Sequence, residues 1–158
     1  MQIIKDKNSK TRDLNKLKKF WKKIGSRVVI MSADRHDKIF SITSHLPHLI
    51  AYNLVKSAQD FENKQNYNLI QFSAGGLRDF SRIAASNEIM WRDIFFNNSL
   101  NLSKAIDLFI KNLQSFQKDI RKKNNKTIIK KLLNTKKVRA QILRLKHDID
   151  KPDFGRSN

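Results

Sequence analysis

S-A-G-G-L-R-D-F-S-R-I-A-A-S-N-E-I-M-W-R-D-I-F-F, residues 73–96, is the stretch around which this chain is organised. It joins the only adjacent glycines, Gly75 and Gly76, to two runs with helical periodicity. Arginines, acids and a tryptophan are concentrated here, whereas most of the positive charge elsewhere is lysine. We therefore predict that this stretch is the functional centre and that the other segments support it.

The segments downstream of the glycine pair have apolar residues at three- and four-residue spacing, which is typical of helices. We predict a helix over Leu77–Ala85, a second over Asn87–Asn97 capped by Ser86, a third beginning at Ser99 or Asn101, a break at 122–126 and a strongly basic last helix.

Upstream, the residues after Ser32 also have a helical pattern. Ser32 can cap a helix that runs to about Phe61, and residues 60–68 are predicted to be a loop. Pro47 lies inside this helix and removes one backbone donor, so a kink is expected near Thr43–Ser44.

The N-terminal segment has a different pattern. Gln2–Ile4 and Arg27–Met31 are predicted strands, and between them Thr11 caps a helix that Gly25 ends in the left-handed conformation. This strand-helix-strand order resembles the closing part of a sheet domain. The fold class is therefore mainly α, preceded by a short β-α-β segment.

Composition excludes several classes of protein. The 158 residues suffice for one domain with a core, and four Gly and two Pro favour long helices over a multi-stranded β fold. No apolar run approaches the length of a membrane span, so no membrane partner is expected. The absence of cysteine excludes disulfides and fits a reducing cytoplasm.

The net charge of +19 is concentrated at the two ends of the chain. Residues 1–27 hold ten Lys and Arg against two acids, and residues 118–146 hold twelve against one. Two interpretations stay open: a solvated lysine-rich surface, or a non-enzymatic basic helical module that binds nucleic acid or an acidic protein.

The motif S-H-L-P-H, residues 44–48, places two histidines three residues apart near one face of a helix. As a metal site it lacks a third ligand at motif spacing, so no metal is predicted. The histidines either pack in the interior or face a polar cavity at the proline kink.

Arg82 is the candidate for anion binding, because the planar guanidinium holds a carboxylate through two hydrogen bonds. The alternative is an ion pair of Arg82 with Asp79 or Asp93. Trp91 has a default place in the core, and Arg92 with Asp93 forms either a surface pair or a clamp between helices. The glycine pair lacks the spacing of a dinucleotide or phosphate loop, so it is a turn or a close approach of backbone to ligand.

Three motifs in order carry a resemblance to a known family. At residues 44–48, at 75–84 (G-G-L-R-D-F-S-R-I-A) and at 90–95 (M-W-R-D-I-F), the chain resembles the C-terminal helical domain of prephenate/arogenate (cyclohexadienyl) dehydrogenases. The domain is of the 6-phosphogluconate dehydrogenase C-terminal-like type. Ala74 departs from the third glycine that the family often has there.

The resemblance implies an enzyme that oxidatively decarboxylates prephenate or arogenate with NAD or NADP in tyrosine biosynthesis, as a cytoplasmic homodimer. It implies that Arg82 binds a substrate carboxylate, that His48 lines the pocket, and that Gly75 and Asp79 shape the loop of the arginine. Trp91 is expected to approach the site from the partner subunit.

The resemblance also sets an expectation for domains. Residues 1–31 resemble the end of the nucleotide-binding Rossmann domain, 32–150 the substrate-binding and dimerisation domain, and 151–158 a flexible tail. The cofactor loop and the catalytic residues belong to the Rossmann half. We therefore expect no catalytic residue, no bound cofactor and no turnover in this chain alone, with a separately encoded Rossmann domain as a candidate partner.

Overall fold

The computed structural model describes residues 1–65 and 68–145, and these residues form two compact units. The first unit consists of residues 1–49 and 87–105, and the second of residues 50–86 and 106–145. The predicted tail, residues 151–158, lies outside the described residues. The architecture is helical apart from one small sheet, so the predicted mainly α class is confirmed.

The first unit begins with a two-stranded parallel sheet. Strand β1, Gln2–Lys5, pairs with β2, Val29–Ser32, so that Ile3 lies opposite Ile30. Parallel strands need a crossover connection, which helix α1, Thr11–Lys23, supplies. Gly25 follows α1 with a φ of 83°, as predicted.

Two predicted boundaries in this segment are wrong. Lys10, and not Thr11, occupies the N-cap position of α1, and its carbonyl accepts from the Asp13 and Leu14 amides. The second strand begins at Val29, two residues later than predicted. The Met1 amine bonds the Arg27 carbonyl, and the first ladder bond runs from the Val29 amide to the Met1 carbonyl.

The long helical segment after β2 consists of three parts. Helix α2 spans Ala33–Phe40, a π-helical turn spans Ser41–His45, and helix α3 spans Leu46–Gln65. Ser32 caps α2 as predicted, since its hydroxyl oxygen accepts from the Arg35 amide. A kink was predicted near Thr43–Ser44, and the structure places the π-helical turn at these residues.

Residues 60–65 are helical, so the loop predicted at 60–68 is wrong over that part. The asparagines there suggested a loop, but α3 continues through Asn63 to Gln65. One exposed ion pair supports the turn that leads into this part of the helix. Lys56 Nζ lies 2.9 Å from Asp60 Oδ1, one turn further along the same helix. A 3₁₀ turn, Ile70–Phe72, follows within the second unit.

Helix α4, Gly75–Ala84, and helix α5, Glu88–Asn97, occupy the stretch with which the sequence analysis began. The cap of α5 is Asn87, whose Oδ1 accepts from the Met90 amide at 2.8 Å, so the prediction of Ser86 is wrong by one residue. The Ser86 hydroxyl instead donates to the Ile83 carbonyl at the end of α4.

Two long helices complete the chain. Helix α6 spans Ser99–Arg121 and helix α7 spans Asn125–Arg144, which confirms the break that was predicted between them. Lys123 has a positive φ of 49° in this connection, and the Asn124 side chain caps α7 by accepting from the Thr127 amide. None of the helices among the described residues is both long and apolar enough to cross a membrane.

Candidate functional site

The π-helical turn places the predicted histidine motif at an irregular point of the backbone. Pro47 has no amide hydrogen to donate to the carbonyl one turn earlier, and this part of the helix widens accordingly. The Ser41 hydroxyl donates to the Lys38 carbonyl and the Thr43 hydroxyl to the Ile39 carbonyl. His48 Nδ1 lies 3.0 Å from the carbonyl oxygen of Ser44, which fixes its ring against the turn.

Trp91 forms the centre of a ring cluster in the first unit. Its indole stacks on the His48 imidazole, with ring centroids 3.7 Å apart and ring planes at 21°. His45 meets the indole edge-on at 6.4 Å, and Phe95 lies against it at 5.5 Å. Such contacts add to the energy of burying the rings. The structure therefore brings together two of the predicted site residues, His48 and Trp91.

The indole nitrogen of this cluster is an unused donor. Trp91 is only 6% exposed, and its Nε1 is buried without a hydrogen-bond partner among the described residues. An unsatisfied buried N–H costs about 1–3 kcal/mol, and such groups are rare in proteins. The indole N–H is therefore a polar group that the described part of the chain leaves unsatisfied.

Trp91 is packed inside its own unit, whereas its expected approach to a site of the partner subunit stays a prediction. The side chain packs within its own chain, against His48 and Phe95. Its default reading as a core residue is therefore the one that the described structure supports.

His45 and Asn98 extend the cluster toward α2. Asn98 Nδ2 lies 2.8 Å from the carbonyl oxygen of Asp37 and 3.2 Å from His45 Nδ1. Both Asn98 and His45 are buried. Sequence reasoning missed the pairing of these two residues, because they are far apart along the chain and no motif links them.

The pKa of His45 is lowered from its ordinary value of 6.5, chiefly because burial disfavours the charged imidazolium. The nearby His36 and His48 lower it further, and the Asp37 carboxylate opposes them. His36 itself stacks on Phe40 and contacts Asp37 through Nδ1 at 2.9 Å. The environment therefore favours His45 as a neutral imidazole.

In the second unit, Arg82 lies on the exposed side of α4. It forms no ion pair or hydrogen bond with another side chain among the described residues, so the ion pair with Asp79 considered above is absent from this part of the chain. The Asp93 carboxylate accepts from its neighbour Arg92 at 2.7 Å on the surface. This surface pair is one of the two alternatives that the sequence left open for Arg92 and Asp93. Arg82 thus has a guanidinium available for an anion.

The glycine pair does not form a loop around this arginine. Gly75 and Gly76 are the first two residues of α4, so the expectation that Gly75 helps to shape an arginine loop is wrong in that detail. A β-carbon at Gly76 would meet no atom within 4 Å. Packing within the described chain therefore gives no reason for glycine at this position. Asp79 lies one turn into the same helix and is half-buried.

No group of three or more His, Cys, Asp or Glu side chains in residues 1–65 and 68–145 is arranged to hold a metal ion.

Lys131, one of the lysines at the basic C-terminal end, contacts two side chains of the second unit. Its Nζ lies 2.6 Å from Asp119 Oδ2 and 2.7 Å from Ser115 Oγ.

Comparison with known proteins gives consistent matches. The sequence profile described as "Prephenate dehydrogenase, dimerization domain" matches residues 32–135. The chain is 35% identical over 130 residues to the cyclohexadienyl dehydrogenase of Zymomonas mobilis, covering 82% of this chain and 44% of that protein. It is 36% identical over 105 residues to the prephenate dehydrogenase of Bacillus subtilis, covering 66% of this chain and 28% of that protein.

A solved structure agrees. Prephenate dehydrogenase from A. aeolicus, crystallised with hydroxyphenyl propionate and NAD+, superposes with a TM-score of 0.82 at 34% identity. The match covers 89% of this chain and 50% of that one. The chain thus spans half or less of the length of these relatives. Because the family profile covers most of the sequence, the chain belongs to the prephenate dehydrogenase family and contains its dimerization domain.

Proposed function

We propose that this chain is the substrate-binding and dimerisation part of a prephenate or arogenate dehydrogenase, which carries out an oxidative decarboxylation with NAD or NADP. The observation that carries the proposal is the ring cluster of the first unit, in which Trp91 presents a buried N–H without a partner. Family membership supplies the substrate class. A cytoplasmic location is part of the same proposal.

Within the first unit, we assign the cluster to substrate contact. His48 is stacked on Trp91 and held by the Ser44 carbonyl, so its imidazole has a fixed orientation. The indole N–H and the stacked rings suit an apolar ring that carries acceptor oxygens, which is the chemistry of prephenate.

Within the second unit, we assign Arg82 to a substrate carboxylate. Its charge does not depend on pH in the working range, and an exposed guanidinium without a protein partner has all its donors available. Asp79, one turn before Arg82 on the same helix, is proposed to help orient the guanidinium by its charge. Gly75, the first residue of α4, is proposed to let backbone come close to a ligand at the start of that helix.

The residues of this chain do not fit the dinucleotide cofactor. A dinucleotide pyrophosphate needs a glycine-rich turn between a strand and a helix. The connection from β1 to α1, residues 6–10, contains no glycine, and neither does the segment from β2 into α2. We therefore propose that NAD or NADP and the catalytic residues are contributed by a Rossmann domain outside these residues, and that this chain needs that domain for turnover.

The boundary between the two proposed domains lies after residue 31. We assign residues 1–31 to the end of the nucleotide-binding domain and residues 32–150 to the helical domain. The start of the family match at residue 32 supports this division.

Calorimetric titration with 4-hydroxyphenylpyruvate or prephenate tests the substrate assignment. Arg82→Ala should weaken binding by about 10- to 150-fold, since a hydrogen bond to a charged group contributes about 1.5–3 kcal/mol. Arg78→Ala, which removes an exposed arginine from the same helix, is the matched control and should bind like the wild type. Equal affinities of the Arg82→Ala and wild-type chains would overturn the role of Arg82.

We further propose that the chain forms a homodimer through apolar surface on α6. Leu108, Leu113 and Ile120 on α6 are more than half exposed in the isolated chain. Leu113→Glu should shift the sedimentation coefficient to that of a monomer, whereas Gln114→Glu adds the same charge at the neighbouring exposed position and should remain dimeric. A wild-type chain that sediments as a monomer at micromolar concentration would contradict the proposal.

A further inference from the structure

A buried hydrogen-bond network joins the π-helical turn to the junction of α5 and α6. Asn98 lies at this junction, 7% exposed, and His45 lies at the end of the π turn, 9% exposed. The side-chain amide of Asn98 makes three contacts: Nδ2 with the backbone carbonyl of Asp37, Nδ2 with His45 Nδ1, and Oδ1 with Asn101 Nδ2.

The orientation of the Asn98 amide follows from its partners. A backbone carbonyl can only accept a hydrogen bond, so the atom 2.8 Å from the Asp37 oxygen must be the amide nitrogen. The opposite end of the amide, Oδ1, accepts from Asn101 at 2.9 Å. The second hydrogen of Nδ2 is then left for His45, and the Nδ1 atom that receives it must carry a lone pair.

In His48 the hydrogen of the imidazole ring lies on the other nitrogen, Nδ1. Its Nδ1 contacts the carbonyl oxygen of Ser44, which has no proton to give. Nδ1 of His48 must therefore carry the hydrogen, and in the neutral ring Nε2 is the acceptor. Two histidines three residues apart thus face different partners and are held in opposite tautomers.

We propose that Asn98 is a positioning residue that fixes His45 as a neutral imidazole with its proton on Nε2, ready to donate to an acceptor oxygen of a ligand. His45 Nε2 has no hydrogen-bond partner among the described residues. An imidazolium at this position would place an N–H of its own against the Asn98 N–H, so the network disfavours it. The statement about the ligand rests on the proposed function, whereas the assignment of the tautomer does not.

Two of the three titratable neighbours of His45 act in the same direction as the network. His36 and His48 both disfavour a positive charge on His45, whereas the Asp37 carboxylate favours it. Burial is the largest effect and also favours the neutral form.

The test is a long-range ¹H–¹⁵N correlation spectrum of the ligand-free chain, labelled at histidine, slightly above neutral pH. The expected result is an unprotonated, pyridine-like Nδ1 with a protonated Nε2 at His45, and the reverse at His48 in the same spectrum. Assignments follow from His45→Gln and His48→Gln. A protonated Nδ1 at His45 in the wild-type chain overturns the proposal, whatever the behaviour of any variant.

Substitution at Asn98 tests whether this residue is the cause. Asn98→Asp replaces the donor with an acceptor, so His45 should gain a proton on Nδ1 and its pKa should rise by about 1–3 pH units. Asn97→Asp adds the same charge one residue earlier, at an exposed side chain that bonds the Asp93 carbonyl of its own helix. This control should leave the tautomer of His45 unchanged, and equal effects of the two substitutions would contradict a specific role for Asn98.

Failure of this inference and failure of the proposed function are distinguishable. The tautomers are read without ligand, and the affinity for 4-hydroxyphenylpyruvate is measured separately by calorimetry. The expected tautomers without any binding would count against the function alone, and binding with a protonated Nδ1 at His45 would count against the inference alone.

Discussion

The indole of Trp91 and the imidazole of His48 stack face to face, with 3.7 Å between their ring centroids. The two residues lie on different helices, α5 and α3, and the stack links them within the first unit. His48 is fixed from the other side by the Ser44 carbonyl. The proline-induced irregularity of the helix and the tryptophan together determine where this imidazole lies.

Replacement of Trp91 should separate packing from hydrogen bonding. Trp91→Ala should lower the free energy of unfolding by about 3–5 kcal/mol, because a buried aromatic side chain is lost. Trp91→Phe should cost less than about 1.5 kcal/mol, because it keeps an aromatic ring and removes the unpaired N–H. Urea unfolding measures both values. Trp21→Phe, the same substitution at a half-buried position of α1, is the control. A loss for Trp91→Phe as large as that for Trp91→Ala would contradict the prediction that an aromatic ring suffices at this position.

Stability should fall as the solution is acidified below about pH 6.5, and His45 should be one cause. Burial lowers the pKa of His45 in the folded chain, so the unfolded chain binds this proton more tightly. The stabilising effect of the neutral ring is complete above the ordinary pKa of 6.5 and is lost as pH falls from there through the lower folded-state pKa. Urea unfolding of wild type and His45→Gln should give a difference in stability that is constant above about pH 7.5 and changes in favour of the variant toward about pH 5. A difference independent of pH would contradict this.

The contact of Tyr52 with Ser86 should stabilise the position of α4, which carries Arg82. The Tyr52 hydroxyl donates to the Ser86 carbonyl at 2.7 Å, just after α4 ends. Tyr52→Phe removes one hydrogen bond and should lower the free energy of unfolding by about 0.5–1.5 kcal/mol. Amide hydrogen exchange should also become faster in α4. Ser81→Ala removes a hydroxyl that bonds only to the carbonyl of Arg78 within α4, and it serves as the control. Unchanged exchange in Tyr52→Phe would exclude an anchoring role.

The ion pair of Lys131 with Asp119 should hold α6 and α7 together in the second unit. The hydrogen bond from Lys131 lowers the pKa of Asp119, so the carboxylate keeps its charge well below neutral pH. The stabilisation is present above the ordinary pKa of 3.8 and disappears as pH falls through the lower folded-state value. Lys131→Met should therefore speed amide exchange in the first half of α7 at neutral pH, and less so in strong acid.

Lys130→Met is the matched control for Lys131→Met, because Lys130 is the adjacent, exposed lysine of the same helix. It should leave amide exchange in α7 unchanged. If both substitutions sped exchange equally, the loss of general helix propensity or charge would explain the effect, and the ion pair would not.

Much of the fold followed from local patterns. The helix periodicity, the Ser32 cap, the positive φ at Gly25 and the break before α7 are short-range features, and all are present in the structure. The errors were also local: Ser86 and Thr11 were assigned as caps, although the neighbouring residues occupy those positions. Several polar residues in succession can cap the same helix, and only the backbone geometry decides between them.

The sequence by itself determined the helical class, the family and the motif residues Arg82, His48 and Trp91, because these depend on residue type and spacing along the chain. Only the tertiary structure decided that Trp91 stacks on His48 within one chain, that Arg82 has no acidic side-chain partner among the described residues, and that Asn98 meets His45. These contacts join residues far apart in sequence, and their hydrogen-bond polarity depends on which donors and acceptors folding brings together. The glycine pair at residues 75–76, which suggested a loop, proved to be the first turn of the helix that carries Arg82.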